Sequence, residues 1–367
     1  LDKEGKRINR AIVCGGGTGG HLFPGIATAE AILENFPHSK VLFISTERQV
    51  DSRALQNRPF ATAVLKCRPL KGLSGLAKLA TAIRLPASLI AAAAIIRRFK
   101  PDLVLGVGGY VTGPVILAAR LLGVSCCIHE QNSVPGLANR LLGRIVRKVF
   151  ISLPESAAYF PAGKTVLTGN PVRRELLAAA STHLTKESHR PTLLVLGGSQ
   201  GAHRVNMLII EALADQRQTL PPELRVIHQT GSRDEEEVRA AYDRLGIRAQ
   251  VAAFFTDMAT LYREADLVVS RAGATTLTEL MLFAKPAILI PYPFAADSHQ
   301  EKNALYLVEH GGAKMFVEAK LTGPMLGREI VRLIVDKEEQ ERMAGQLATL
   351  ARPQATESIV AHCLEMI

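Results

Sequence analysis

Tryptophan is absent from the 367 residues, and aromatic side chains make up only 5% of them. A nucleic-acid surface of the stacking kind needs rings interleaved with cations. No such platform and no nucleic-acid module is present, so nucleic acid is not an expected partner. Cysteine is scarce as well: Cys14, Cys67, Cys126, Cys127 and Cys363 include no C-x-x-C pair and leave one over. Reduced, mostly buried thiols of a cytosolic protein are expected, with neither a disulfide frame nor a structural metal. No Asp-x-Asp pair offers a carboxylate clamp for a cation, and no cofactor is called for. Long apolar runs are missing too. The most apolar stretch, Leu85–Ile96, is alanine-rich and too short to span a bilayer, and Leu1–Arg10 is short and charged, so a soluble chain is expected.

Negative charge is the most unevenly missing property. Between Asp51 and Asp102 there is no acidic residue but ten basic ones, and the stretch from Glu130 to Glu155 carries Arg140, Arg144, Arg147 and Lys148 with no acid between. Residues 1–172 hold 22 Lys/Arg against 9 Asp/Glu, whereas 173–367 hold 22 against 25. One basic half points to a polyanionic partner; with nucleic acid disfavoured, an anionic membrane surface is the better match. Within the acid-free stretch, Leu73, Leu76, Leu79, Ala80 and Ile83 recur at helical spacing beside Lys71, Lys78 and Arg84. This is either a helix facing its own core or one resting in a membrane interface.

Glycine is well supplied where it matters. GGGTGGHLFPG spans Gly15–Gly25 directly after the apolar run Ala11–Cys14. A buried strand running into glycines and a helix start aims backbone N–H groups and the positive end of a helix dipole at an anion. Gly15, Gly17 and Gly20 also satisfy the dinucleotide fingerprint, with Glu47 available as a ribose-binding acid, so phosphate chemistry, NAD-type binding and a plain turn all stay open at this loop. His21 follows the last glycine and places an imidazole beside any anion held there.

The strand–glycine–helix unit recurs at 103–109, 193–199 and 267–273, two units in each half of the chain. Apolar β-branched runs alternate with helical patterns throughout, and the length suits two cores. The expected fold is α/β: two Rossmann-like, doubly wound parallel-sheet domains facing across a cleft, over 1–172 and 173–351. A hinge is expected near Gly169-Asn170-Pro171, and a tail over 352–367, set off by Pro353, is expected to pack back on the first domain.

Taken together, GGGTGGHLFPG (15–25), GVGGYVTGP (106–114), HEQNSVPGLANR (129–140), GNPVR (169–173), LGGSQGAHRVN (196–206), FFTDM (254–258), SRAGATTLTEL (270–280) and DSHQEKNA (297–304) resemble the MurG family of peptidoglycan glycosyltransferases. That resemblance implies a GT-B fold and inverting transfer of N-acetylglucosamine from UDP-N-acetylglucosamine to lipid I, undecaprenyl-diphospho-N-acetylmuramoyl-pentapeptide, at the cytoplasmic face of the bacterial cell membrane. It also tells against the NAD reading, since a dehydrogenase has no need of a second set of glycine loops.

On this resemblance His21 is the general base, or else a diphosphate contact; an imidazole titrating near neutrality suits proton removal from an attacking alcohol. His129 and Glu130 rank second. The donor falls to Ser199 and the Ala274-Thr275-Thr276-Leu277-Thr278 helix start at the diphosphate, Glu279 at the ribose diol, Phe255 beside the uracil and Arg173 near the nucleotide. Asn132 and Gln300 read the sugar hydroxyls, with Thr18, Gly19 and Gly20 close by. Gly108, Gly109, Tyr110 and Thr112 receive the acceptor diphosphate, while the lipid tail stays in the bilayer against the basic first half. The sequence departs from the family at Ser45–Asp51, where a glycine-threonine turn with a glutamate is usual and Asp51 is the acid that can stand in, and at His299, where glutamine is common. Transfer to another membrane lipid, a silent UDP-sugar-binding regulator and a sugar-nucleotide epimerase are the competing readings.

Overall fold

In the computed structural model of the chain, residues 7–67, 75–181, 190–198 and 201–367 are described, those of 75–85 as backbone only. They form two compact units, Leu1–Arg173 with Arg352–Ile367, and Arg174–Ala351.

The first unit runs β1 (Arg10–Cys14), α1 (Gly19–Asn35), β2 (Lys40–Ser45), α2 (Gln49–Leu55), β3 (Ala61–Val64), α3 (Gly75–Phe99), β4 (Leu103–Gly106), α4 (Thr112–Leu121), β5 (Ser125–Glu130), α5 (Leu137–Leu142), β6 (Lys148–Ile151) and β7 (Thr165–Leu167). Its seven strands are all parallel, in the order β3-β2-β1-β4-β5-β6-β7. Helices cover both faces, so the central strands are buried on both sides and read as unbroken apolar runs. Ala11, Val13, Phe43, Leu103 and Leu105 point to one core, and Ile12, Cys14, Ile44, Val104 and Ile128 to the other.

The second unit runs α6 (Arg174–Ser181), β8 (Thr192–Leu196), α7 (His203–Asp215), β9 (Arg225–Gln229), α8 (Glu235–Leu245), β10 (Arg248–Ala252), α9 (Met258–Glu264), β11 (Leu267–Ser270), α10 (Ala274–Leu282), β12 (Ala287–Leu289), α11 (His299–Glu309), β13 (Ala313–Met315), α12 (Gly323–Val335) and α13 (Lys337–Leu350). Six parallel strands follow the order β10-β9-β8-β11-β12-β13. Local chemistry sets the helix ends. Thr322 and Asp336 cap α12 and α13 by accepting from Met325 N–H (3.4 Å) and Glu339 N–H (3.0 Å), and Gly246 ends α8 in the left-handed region at φ 61°.

After α13 the chain returns to the first unit as α14 (Ala355–Leu364), whose Ile359, Val360, Cys363 and Leu364 complete the core beneath α1. Ser125 Oγ donates to Met366 O at 2.9 Å, and Lys148 pairs with Glu365 at 2.5 Å. Gly169, at φ 87°, lies against Arg352, where a Cβ would come within 2.7 Å of the arginine's own Cβ. The outgoing and returning segments thus meet at Gly169.

In both sheets the strand order reverses between two neighbours, β1 and β4 in one, β8 and β11 in the other. These are the four strands that run into glycines. Doubly wound sheets bind ligands at the carboxyl ends of such a switch point.

Candidate functional site

In the first unit the loops after β1 and β4 interlock. A Cβ on Gly109, at φ 81°, would lie 2.2 Å from Gly16 O, so the two loops touch backbone to backbone. The His21 ring lies over Gly108, where a Cβ would fall 2.6 Å from it. Glycine at 108 is therefore what lets the imidazole close on the second loop. His21 sits in the first turn of α1, half-buried, with Nδ1 3.3 Å from the Thr18 hydroxyl. Thr18 is exposed, and Gly19 and Gly20 open the helix. Tyr110 is 41% exposed at the rim. Arg173 belongs to this unit, its guanidinium 5.0 Å from the centre of the Phe23 ring on α1.

Thr112 departs from its expected role. It is buried, and its hydroxyl donates to Gly108 O at 2.8 Å and accepts from Gly108 N–H at 3.1 Å. Its hydroxyl shapes the loop and is not presented to a ligand. His129 and Glu130 are likewise interior. His129 Nε2 lies 3.0 Å from Gly169 O and Nδ1 3.0 Å from Gln131 Nε2, and burial pushes the imidazole down to about 4. It is a neutral core histidine, unsuited to collecting a substrate proton. Burial pushes the Glu130 carboxyl up, opposed by hydrogen bonds from Asn132 and Asn139. Asn132 Nδ2 donates to Glu130 Oε1 at 3.1 Å, so Glu130 orients this amide.

Two residues of α2 and its entry turn act on the first loop. Buried Asp51 accepts from Gly17 N–H with both oxygens at 3.0 Å, and from Thr46 N–H and hydroxyl at 3.2 and 2.5 Å. Arg48 Nη1 donates to Gly17 O at 2.7 Å. Sequence reasoning left Arg48 without a role. Its signal was topological: in a doubly wound sheet the β2–α2 turn arrives beside the β1 loop.

In the second unit, Gly273 precedes α10, whose first turn holds Ala274, Thr275 and Thr276; Leu277 is buried and the Thr278 hydroxyl bonds Ala274 O at 2.8 Å. Glu279, 8% exposed, accepts from the Tyr262 hydroxyl at 2.8 Å. Phe255 N–H donates to Gln229 Oε1 at 3.0 Å, a partner not foreseen; it fixes the backbone of the 254–257 turn. Gln300 Oε1 accepts from Tyr292 N–H at 2.9 Å at the start of α11, after Asp297 and Ser298, both in the left-handed region at φ 54° and 51°. Two successive non-glycine residues held there mark a constrained turn. Arg271 is fixed by Ile290 O, Pro291 O and a 2.5 Å ion pair with Glu318. Ser199 lies outside the described residues. Among the described residues, one group has metal-ligand spacing, His203, Asp234 and Glu237, and there Asp234 already accepts from His203 at 3.0 Å and from Asn206 at 2.8 Å.

Two parallel-sheet units, each with glycine loops and a helix start gathered at its switch point, are the architecture of the GT-B fold, and the family matches make the chain a glycosyltransferase of that type. Residues 11–151 match the glycosyltransferase family 28 N-terminal domain and 192–359 the family 28 C-terminal domain. The UDP-N-acetylglucosamine–N-acetylmuramyl-(pentapeptide) pyrophosphoryl-undecaprenol N-acetylglucosamine transferase of Desulfotalea psychrophila is 48% identical over 100% of this chain and 98% of its own. The enzyme of that name from Geobacter sp. strain M21 is 44% identical over 96% and 95%. The crystal structure of Acinetobacter baumannii MurG superposes with a TM-score of 0.78 at 30% identity, covering 97% of this chain and 100% of that one. The chain belongs to this MurG family of N-acetylglucosaminyltransferases. A UDP-N-acetylglucosamine 2-epimerase of Neisseria meningitidis, 16% identical with a TM-score of 0.68 over 97% of this chain and 100% of its own, shares the fold alone.

Proposed function

We infer that the protein transfers N-acetylglucosamine from UDP-N-acetylglucosamine to N-acetylmuramyl-(pentapeptide) pyrophosphoryl-undecaprenol, giving lipid II and UDP. The acceptor's sugar hydroxyl attacks the anomeric carbon, the bond from that carbon to the UDP oxygen breaks, and the configuration inverts in one displacement. The hydroxyl proton passes to His21. The observation that carries this assignment is the ring of His21 seated on Gly108 between two glycine loops, while the chain's other candidates, His129 and Glu130, are held inside the fold.

The donor belongs to the second unit in this reading. The N-terminus of α10 receives diphosphate charge together with Ser199, and stabilises the leaving UDP as that charge grows. Glu279 accepts from the ribose diol, oriented by Tyr262. Phe255, locked by Gln229, offers backbone to the uracil, and Gln300, Asn132 and Thr18 address the sugar. Gly108, Gly109 and Tyr110 take the acceptor diphosphate, with Thr112 as the residue that shapes their loop.

No helix among the described residues is long and apolar enough to cross a membrane. We propose peripheral docking at the cytoplasmic face of the cell membrane through the basic first unit. Leu137 and Leu141 on α5 are 69% and 55% exposed beside Arg140 and Arg144, an apolar edge framed by cations. The stripe at Leu73–Arg84 with Lys71 and Lys78 lies where side chains are not described. Salt-sensitive sedimentation with anionic vesicles tests docking, which is rejected if neutral vesicles bind equally.

Radiolabelled UDP-N-acetylglucosamine incubated with the diphosphoryl acceptor, a diacylglycerol or no acceptor tests the reaction. Label is expected in lipid only with the first. Consumption of the donor alone would mean an epimerase or hydrolase.

A further inference from the structure

The first glycine loop is gripped from outside. Gly17 carries its N–H on Asp51 and its C=O on Arg48, so both ends of one residue are fastened to the entry of α2. One consequence concerns Gly17 itself. Its amide hydrogen faces a carboxylate and is withdrawn from any anion that the loop receives. The loop has lost a backbone donor at the position where phosphate-binding turns usually supply one.

The other consequence is a cation at the rim. Arg48 is exposed, and the one hydrogen bond of its guanidinium among the described residues goes to Gly17 O. Its central carbon stands 5.9 Å from the centre of the Tyr110 ring, and Tyr110 follows Gly108-Gly109 on the second loop. A Cβ on Gly17 would lie 3.9 Å from that same ring. The guanidinium therefore sits where both loops end, held in place by a carbonyl and an aromatic face, with most of its planar donor fork unused among the described residues. Asp51, the acid of the clamp, is turned inward onto two N–H groups and a hydroxyl, and the neighbouring Glu47 lies 3.7 Å from Lys66. A positioned arginine with spare donors suits bidentate recognition of phosphate oxygens.

We propose that Arg48 binds the diphosphate of the lipid-linked acceptor, replacing the donor that Asp51 removes from Gly17. This rests on the transfer reaction proposed above. Asp51 is then a positioning residue: it orients the loop and leaves the arginine as the charge the acceptor meets.

The test is steady-state transfer by the full chain, using a water-soluble short-prenyl analogue of the diphosphoryl acceptor and its monophosphoryl counterpart. Arg48→Gln is expected to raise KM for the diphosphoryl acceptor roughly tenfold, the scale of one charge-assisted hydrogen bond. KM for UDP-N-acetylglucosamine should stay at its wild-type value, the thermal midpoint should fall only slightly for the lost bond to Gly17 O, and the preference for diphosphoryl over monophosphoryl acceptor should collapse. Arg48→Lys should recover part of the affinity but little of the preference. Unchanged acceptor KM in Arg48→Gln overturns the assignment. So does a parallel rise in both KM values with a lowered midpoint, which would make Arg48 a loop anchor only. Wild-type protein that transfers nothing to either acceptor would instead reject the reaction itself.

Discussion

The two units carry the same device, a pair of glycine-ended strands at a switch point, and complete it with opposite chemistry. In the first unit the loops close on each other and hold an imidazole, His21, with a guanidinium, Arg48, at the rim. In the second, the β11 turn opens α10 and holds a carboxylate, Glu279, bonded to Tyr262. In the reaction proposed above, one half offers a proton acceptor and positive charge to an alcohol on a diphosphate carrier. The other offers hydrogen-bond acceptors to a diol and a helix end to a leaving group. On that proposal a repeated scaffold serves two unlike substrates through the few side chains at its loop ends.

Removing the proton acceptor should break this contrast most severely. His21→Ala is expected to lower kcat by about 10²- to 10⁴-fold while UDP-N-acetylglucosamine binding, measured calorimetrically, stays at its wild-type value. Equal loss of donor affinity would move His21 to the donor's side. The mirror experiment is Glu279→Gln, which should raise KM for the donor about tenfold or more and leave acceptor KM unchanged, as expected for lost hydrogen bonds to a charged acceptor.

Stability sharpens the comparison at smaller magnitude. Thr112→Val removes both hydrogen bonds to Gly108 and leaves its N–H unpaired, and should cost the first unit about 1–3 kcal/mol. Hydrogen exchange resolved by unit should show faster opening there and none in the second.

Acid should weaken both halves. His129 and His228 are buried and pushed down to about 4 and about 3. The unfolded chain, with ordinary imidazoles near 6.5, binds more protons across that interval, so stability is full above about pH 6.5 and falls as pH drops toward those values. His129→Gln should flatten the slope in the first unit and His228→Gln in the second, as read by urea midpoints between pH 4 and 7. Least affected should be Glu365→Gln, which loses an exposed pair with Lys148: under about 1 kcal/mol is expected, measured by the shift in thermal midpoint.

Much of this design was legible before any coordinates. The runs Ala11–Cys14, Leu103–Leu105, Leu193–Leu196 and Leu267–Val269 announce strands buried on both faces, and glycines after each mark the ligand edge. His21 could be singled out by its place directly after the glycines of a strand–loop–helix unit and by the family resemblance. His129 could be ranked below it but not dismissed, because an imidazole in a core and one at an edge look alike until Gly169 and Gln131 are seen to hold the former. Thr112 misled for a related reason: a hydroxyl after glycines serves a ligand or the loop itself with equal ease. Asp51 and Arg48 reach Gly17 across more than thirty residues, through the crossover that returns β2 beside β1, and no local pattern encodes that meeting.

The closing helix of the first unit brings a question of timing. Ile359, Val360 and Cys363 seal apolar surface that α1 and β1 leave uncovered, yet they are made after every residue of the second unit. On the ribosome the half bearing His21 therefore cannot complete its core until α14 has followed the whole of the second unit.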